Sequence, residues 1–407
     1  YKVCLSDPKK VHFIGIGGIS MSGLAELLNN KGFKVSGSDS KKSKNTVHLE
    51  NMGVHIIYGQ RAENITSDTD FVVYTAAINE DNPEYQAVLE ANIPLVDRAQ
   101  LMGQIMLNYS NAIAIAGTHG KTTTTSMNSL ILLEGGLDPT ISLGGILDNI
   151  GGNIRIGESN IFITEACEYT NSFLKFNPTI GVVLNVEAEH MDYFKNLDNV
   201  RLSFRSFASR IPKDGLLIIN GDIDDVEYFT KGLECKIITY SLKKKSSPIS
   251  NTTAHYFADN IKYDDFGKGI FDLFIDDKYV DIISLNVVGT HNISNSLPSI
   301  ALANYFDIPM NIIKKGILAF TGTERRFEYK GEICGVTIID DYAHHPTEVK
   351  ATLTAAKKYP HKSIYCVFQP HTYTRTKTFL DEFANVLSLA DVIILTDIYA
   401  AREKNPG

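Results

Sequence analysis

Between an apolar run, NAIAIA, and a helical one, TTTTSMNSLILLEGG, lies the short segment GTHGK at residues 117–121. Two glycines, a lysine and hydroxyl side chains at this spacing make a loop that turns sharply and points its N–H groups inward at phosphate oxygens. Lys121 then reads as the cation that neutralises the β- and γ-phosphates of ATP. The hydroxyl of Thr122 or Thr123 reads as a ligand to Mg²⁺. Gly117, Thr118, His119 and Gly120 line the cradle. The spacing departs from the common G-x-x-x-x-G-K-[ST] pattern, because the residue six before Lys121 is Ile115, still inside the strand. The loop is therefore a short one. A chance turn with a surface lysine is the plainer alternative, and the clean strand and helix on either side weigh against it.

A second glycine cluster, GIGGIS, stands at residues 15–20. Gly15 and Gly17 fit the first two positions of G-x-G-x-x-G, and Ser20 takes the third. Asp39 ends the next strand, where a dinucleotide fold would read a ribose. Gly15, Ile16, Gly17, Gly18 and Ser20 are thus candidates for a diphosphate. The residues alone leave open NAD(H), a nucleotide sugar, or only a tight helix–sheet contact. The position ahead of a separate ATP loop suits a bound substrate better than a redox cofactor.

Loops of this kind need parallel sheets to present them. Short β-branched runs alternate with amphipathic helical runs over the first hundred residues, and a fresh series opens at Asn111. From about 252 to 286 the pattern becomes strands separated by turn signals, an antiparallel patch appended to the second unit. A third strand–helix series starts near residue 323, and its sheet reads as unfinished at Gly407. The expected fold is α/β with three domains: an N-terminal Rossmann-like parallel sheet (1–107), a central phosphate-loop ATPase domain with the antiparallel patch (108–322), and a C-terminal Rossmann-like domain (323–407). At 407 residues, 43% hydrophobic and 21% charged, the chain has the composition of a globular protein. A net charge of −8 argues against a nucleic-acid surface. No apolar run is long enough to span a membrane. Five scattered cysteines without a C-x-x-C pair fit reduced thiols in a cytoplasm.

The motifs HFIGIGGISMSGLAELL…KVSGSD, GTHGKTTTTS, EACEY, NVEAEHMDYF, GTHNISNSLPSIALA, RRFEYKG, IDDYAHHPTEV and QPHTYTRT follow one another along essentially the whole chain. In that order they resemble the Mur ligase family, and within it the alanine-adding branch. The resemblance implies a cytoplasmic, three-domain, ATP-dependent ligase that forms an amide through an acyl phosphate. Its implied substrates are UDP-N-acetylmuramate, L-alanine and ATP, with two Mg²⁺ ions that Mn²⁺ can replace. One glycine cradle would hold the diphosphate of the sugar nucleotide and the other the ATP. A monomer or weak homodimer is expected.

The same resemblance assigns roles. Thr122 would hold one Mg²⁺, and Glu165 and His190 a second that bridges the γ-phosphate and the sugar carboxylate; read without it, Glu165 is a strand-end acid and His190 a turn histidine. Asn292 and Asn295, three apart on a helix, would meet the adenine edge, against a capping role for Asn292 or Ser294. Arg326 matches a phosphate contact and Asp341 a ribose ligand. Tyr342, His344, His345, His371 and Arg375 would face the amino acid, with Arg375 clamping its carboxylate in a bidentate fork. His344 or His345 would orient the amine or take its proton; of the two, His344 is the catalytic candidate beside Lys121, Glu165 and His190. Thr372 departs from the arginine common there in the family. Asp39, Thr75 and Arg98 are candidates for the uridine region. Some relatives carry a carbamylated lysine in the helix after the metal histidine; here that run, NLDNVRLSFRSF, has Arg201 and Arg205 and no lysine, so no carbamate is expected. Three other readings stand beside this one: a sibling ligase that adds a recycled peptide to the same sugar nucleotide, an NAD(P)-dependent oxidoreductase, and a catalytically silent nucleotide-binding module, against which Lys121, Glu165 and His190 speak.

Overall fold

The computed structural model describes residues 1–75, 77–244, 252–323, 327–401 and 403–404. The first unit alternates β1 (Lys10–Ile14), α1 (Ile19–Asn30), β2 (Lys34–Asp39), α2 (Lys44–Asn51) and β3 (His55–Tyr58). It continues with β4 (Phe71–Tyr74), α3 (Pro83–Glu90), β5 (Leu95–Asp97) and α4 (Arg98–Met106). Its five strands are parallel in the order β3-β2-β1-β4-β5. The order reverses between β1 and β4, which opens a crevice at their carboxyl ends. Gly15 and Thr75 lie at those two ends.

The central unit begins with β6 (Asn111–Ala116), α5 (Lys121–Glu134), β7 (Thr140–Leu147), β8 (Gly152–Arg155), β9 (Ile161–Ala166) and β10 (Ile180–Val183). Then come α6 (Met191–Phe194), α7 (Leu197–Ala208), β11 (Leu216–Asn220), α8 (Glu227–Thr230) and β12 (Lys236–Ser241). It ends with β13 (Ala254–Tyr263), β14 (Lys268–Ile275), β15 (Lys278–Val288), α9 (Thr290–Tyr305) and α10 (Met310–Ala319). These strands form one sheet, β15-β14-β13-β12-β11-β10-β6-β9-β7-β8. The expected antiparallel patch is present and is continuous with the parallel sheet. β13 pairs in parallel with β12, and the β13–β15 meander extends the same sheet, burying Phe271, Leu273, Ile283 and Leu285 in the core that α9 covers. β6 is apolar on both faces because β9 and β10 flank it and helices cover the sheet, as a central parallel strand requires. The carboxyl ends of β6, β9 and β10 stand side by side, so whatever follows each strand meets at one rim.

The third unit holds the hairpin β16 (Glu328–Ile333) and β17 (Val336–Asp340), then α11 (Pro346–Ala356) and β18 (Tyr365–Phe368). It closes with α12 (Tyr373–Thr378), α13 (Leu380–Leu387) and β19 (Val392–Leu395), which pairs in parallel with β18. Its small core is Val349, Leu353, Phe368, Phe383, Leu387 and Ala390. That core stands apart. By contrast, one continuous cluster runs from Val11, Phe13 and Met102 of the first unit to Phe162, Phe173 and Phe204 of the central one. Polar contacts reinforce this seam: Asn177 donates to the carbonyl of Gly103 at 3.0 Å and Asn153 to that of Ile19 at 3.1 Å. Among the described residues no helix is long and apolar enough to cross a membrane.

Candidate active site

After β6 the chain turns through Gly120, whose φ of +83° suits glycine and whose Cβ, if present, would sit 2.6 Å from Asn295 Oδ1. No side chain caps α5 at this point. Its first-turn N–H groups and the positive end of its dipole therefore face the loop, as an anion site requires. Asn185, just beyond β10, braces the loop from below. Its Oδ1 accepts from the His119 N–H at 2.8 Å, and its Nδ2 donates to the His119 carbonyl at 3.0 Å.

Lys121 Nζ donates to the carbonyls of Gly117 and Thr118 and to Glu168 Oε2, the last at 3.0 Å. Burial by itself would lower its pKa, but Glu168, Cys167 and Glu165 together outweigh burial and the net shift is upward, so Lys121 is a cation. Thr122 Oγ1 donates to Glu165 Oε2 at 2.9 Å, and the Gly144 N–H donates to Glu165 Oε1 at 2.7 Å. His190 sits with Glu168: its Nε2 is 3.7 Å from Glu168 Oε1, and its ring lies 4.5 Å from that of Tyr169. The two residues expected to share an ion, Glu165 and His190, have different neighbours in this structure. Glu165 keeps company with Thr122, while His190 shares Glu168 with Lys121. Burial lowers the His190 pKa against the pull of Glu168 and Glu189, which leaves a neutral imidazole. Glu168 Oε1 is buried without a hydrogen-bond partner among the described residues. Together with the Thr122 hydroxyl and the Glu165 carboxylate it supplies hard oxygens that fit Mg²⁺; His190 suits that ion less well.

The third unit reaches this rim. His119 Nδ1 is 3.3 Å from Glu348 Oε1, and its Nε2 is 3.6 Å from Glu187 Oε2. Thr347 Oγ1 donates to Glu187 Oε2 at 3.0 Å. Arg375 donates to Glu189 Oε1 through Nε at 3.2 Å and Nη2 at 2.7 Å, and its Nη1 lies 2.9 Å from His371 Nδ1. The two adjacent histidines are separated cleanly. His345 is the N-cap of α11 and is buried, with Nε2 3.7 Å from Glu189 Oε2. His344 is half-buried beside Tyr342 and His371, at ring separations of 4.9 and 5.8 Å. Among the residues proposed for the amino acid, these place Tyr342, His344, His371 and Arg375 in one group and His345 behind them.

Burial lowers the pKa of His119, but contacts with Glu187 and Glu348 outweigh it and raise the value to about 9. A histidine whose folded pKa lies above its unfolded one contributes stability that is complete below about 6.5 and is lost as pH rises through about 9. Denaturant melts of the native chain and His119→Gln should therefore differ most at pH 6 and converge above about pH 9.

At the other cradle the N–H groups of Gly15 and Ile16 donate to the Ser38 carbonyl at 2.9 and 3.0 Å. Gly18 begins α1 without a side-chain cap, and Ser20 lies in its first turn. Asp39 Oδ2 accepts the Gly17 N–H at 2.8 Å and so shapes the loop. Ser38 Oγ donates at 2.6 Å to Glu84, a fully buried acid that the sequence reading missed. Thr75 is beside the loop, since a Cβ on Gly15 would lie 2.7 Å from Thr75 Cγ2. Arg98 opens α4, after Asp97, which pairs with Lys175 of the central unit. Gly15 has φ +80°, where a side chain costs about 1–2 kcal/mol. Gly15→Ala should raise KM for the first unit's ligand about tenfold and leave that for ATP unchanged, read by steady-state kinetics.

Three further candidates for the nucleotide complete the set. Arg326 lies outside the described residues. Asp341 uses its carboxylate on the N–H groups of Phe327 and Ala343, at 2.8 and 2.7 Å, and so braces the start of the third unit. Asn292 Nδ2 donates to the Val288 carbonyl at 2.8 Å, which leaves Asn295, against Gly120, as the asparagine nearer the ATP loop. Arg201 and Arg205 of α7 lie over the rings of Tyr228 and Phe229 and bond nearby backbone carbonyls, a packing role.

Known proteins share this fold and order of units. Family models match in order along the chain: the Mur ligase family catalytic domain at residues 10–110, the Mur ligase middle domain at 115–303, and the Mur ligase glutamate ligase domain at 325–406. A UDP-N-acetylmuramate--L-alanine ligase of Lachnoclostridium phytofermentans is 57% identical, over all of this chain and 87% of its own length. The ligase of the same name from Agathobacter rectalis is 55% identical, over all of this chain and 86% of its own. Among solved structures, UDP-N-acetylmuramate-alanine ligase MurC from Thermotoga maritima superposes with a TM-score of 0.79 at 28% identity, over 96% of this chain and 85% of that one. A murein peptide ligase from Psychrobacter arcticus follows with a TM-score of 0.73 at 26% identity, over 95% and 84%. The order of strands, glycine turns and units along the chain finds its place in one lineage: the chain belongs to the Mur ligase family.

Proposed function

We propose that this chain joins L-alanine to the lactyl carboxylate of UDP-N-acetylmuramate at the expense of ATP, a step in peptidoglycan precursor synthesis. The observation that carries the reading is the charged Lys121 at the head of an uncapped α5, beside the Thr122–Glu165 pair and facing Arg375 across the same rim. The relatives' names supply the substrates.

A carboxylate resists attack by an amine until one oxygen becomes a leaving group. The sugar carboxylate attacks the γ-phosphorus of ATP, the bond to the β-phosphate oxygen breaks, and ADP leaves an acyl phosphate. Lys121 and the α5 N–H groups offset the charge that builds on the phosphoryl oxygens. Lys121 must turn from Glu168 toward them. A Mg²⁺ ion held by Thr122 and Glu165, with a second near His190 and Glu168, would screen the two anions from each other. Arg375 exchanges Glu189 for the carboxylate of alanine and so places the amine. His344, beside His371, takes the proton as the amine attacks the acyl carbon; phosphate departs and the amide remains. On this reading the Gly15 cradle holds the UDP diphosphate, and the protein works in the cytoplasm as a monomer or weak homodimer. It needs neither nucleic acid nor membrane.

The test is phosphate release from ATP with UDP-N-acetylmuramate and a panel of amino acids and peptides. Release should require both the sugar nucleotide and L-alanine. Turnover with a tripeptide in place of alanine would move the chain to the sibling activity, and an absorbance change with NAD(P)H would sink the ligase reading.

A further inference from the structure

We propose that His119, His345 and Glu189 form a binding site for a divalent transition ion, Zn²⁺ first among them, distinct from the oxygen-rich pocket at Thr122 and Glu165. One ligand atom from each of the three lies within 4.8 Å of the others. His345 and Glu189 are only 5% and 6% exposed, and His119 is nearly covered. Among the described residues, His119 Nε2, His345 Nε2 and Glu189 Oε2 are all buried without a hydrogen-bond partner. Three orphaned polar atoms converging on one point are costly unless something ties them together.

The donors suit a borderline-soft ion. Two imidazole nitrogens and one carboxylate oxygen fit Zn²⁺, Co²⁺ or Ni²⁺, whereas Mg²⁺ favours oxygens. A tetrahedral ion with bonds of about 2.0–2.1 Å asks the ligand atoms to close in by roughly 1 Å, within reach of small side-chain rotations. His345 Nε2 and Glu189 Oε2 are already 3.7 Å apart. The outer contacts are also in place. Glu348 Oε1 stands 3.3 Å from His119 Nδ1, ready to accept its proton, and Arg375 grips the other oxygen of Glu189. Glu187 Oε2, 3.6 Å from His119 Nε2, is a fourth donor within reach. Ligation through Nε2 places the proton of His345 on Nδ1, so its 3.4 Å contact with the Thr347 N–H is given up. The charge also balances once the ion displaces a proton from His119: Glu187, Glu189 and Glu348 then face the Arg375 guanidinium and one divalent ion.

His119 and Glu189 come from the central unit and His345 from the third. An ion there ties the third unit to the phosphate loop. Zn²⁺ would thus hold His119 and oppose the rearrangement that ATP entry demands.

Calorimetric titration of the metal-stripped full chain with Zn²⁺, in buffer without Mg²⁺ or nucleotide, should give one ion per chain. Co²⁺ should show the visible absorption of a four- or five-coordinate complex with nitrogen ligands. His119→Asn, Glu189→Gln and His345→Asn, the last keeping a residue that can cap α11, should each weaken Zn²⁺ by about tenfold or more. Glu165→Gln and His190→Ala should bind as the native chain does. No Zn²⁺ binding by the native chain, or losses that follow His190→Ala in place of the three ligand variants, would overturn the proposal. Circular dichroism on each variant separates misfolding from a lost ligand. None of these readouts needs turnover, so the result is independent of the ligase reading.

Discussion

Lys121→Met should cut kcat for phosphate release by about a thousandfold, with the sugar nucleotide still bound. The size follows from position. Lys121 is the cation at the head of α5, and the charge that develops on a transferring phosphoryl group has no nearby lysine to replace it in the GTHGKTT loop. The same substitution also costs stability, because Glu168 would keep a buried carboxylate without its ammonium partner, a loss of about 3–5 kcal/mol. The double variant Lys121→Met/Glu168→Gln removes both charges and should regain much of the stability but none of the rate. Denaturant melts and single-turnover assays on the pair separate the two effects. Activity of the double variant near the native level would mean that Lys121 serves only to neutralise Glu168.

Arg375→Lys should raise KM for alanine about thirtyfold, the value of one lost charge-assisted hydrogen bond at about 2 kcal/mol, with the KM values for ATP and sugar nucleotide little changed. A guanidinium holds Glu189 through two nitrogens and His371 through a third; an ammonium cannot copy that fork. Steady-state kinetics with each substrate varied in turn checks this. A uniform fall in kcat with unchanged KM for alanine would remove Arg375 from the amino-acid site and make it a strut between units.

The architecture was legible because parallel strands buried on both faces read as apolar runs, and glycine turns mark where they end. The ATP loop was legible for the same reason: Gly120, Lys121 and Thr122 act through backbone shape and position relative to one strand. What remained hidden were groups that gain meaning only across long sequence separations. Glu168 and Glu189 sit in the quoted motifs EACEY and NVEAEH, yet nothing in their spacing says that one pairs with Lys121 and the other with Arg375, 186 residues away. Asn185 looks like a strand-end residue until the loop above it is in view. The place of Asp39 at the end of β2 made it a ligand candidate, but nothing in that place foretold that its carboxylate accepts the Gly17 N–H. The antiparallel meander was visible as strands, but the join between β12 and β13 was not, since pairing partners leave no mark on alternation.

The buried cluster shared by the first two units, and the separate buried core of the third among the described residues, have a calorimetric consequence. Heating should reveal two cooperative transitions where a three-unit chain invites three: a small early one for the segment built on Val349, Phe368 and Phe383, and a large later one for everything before it.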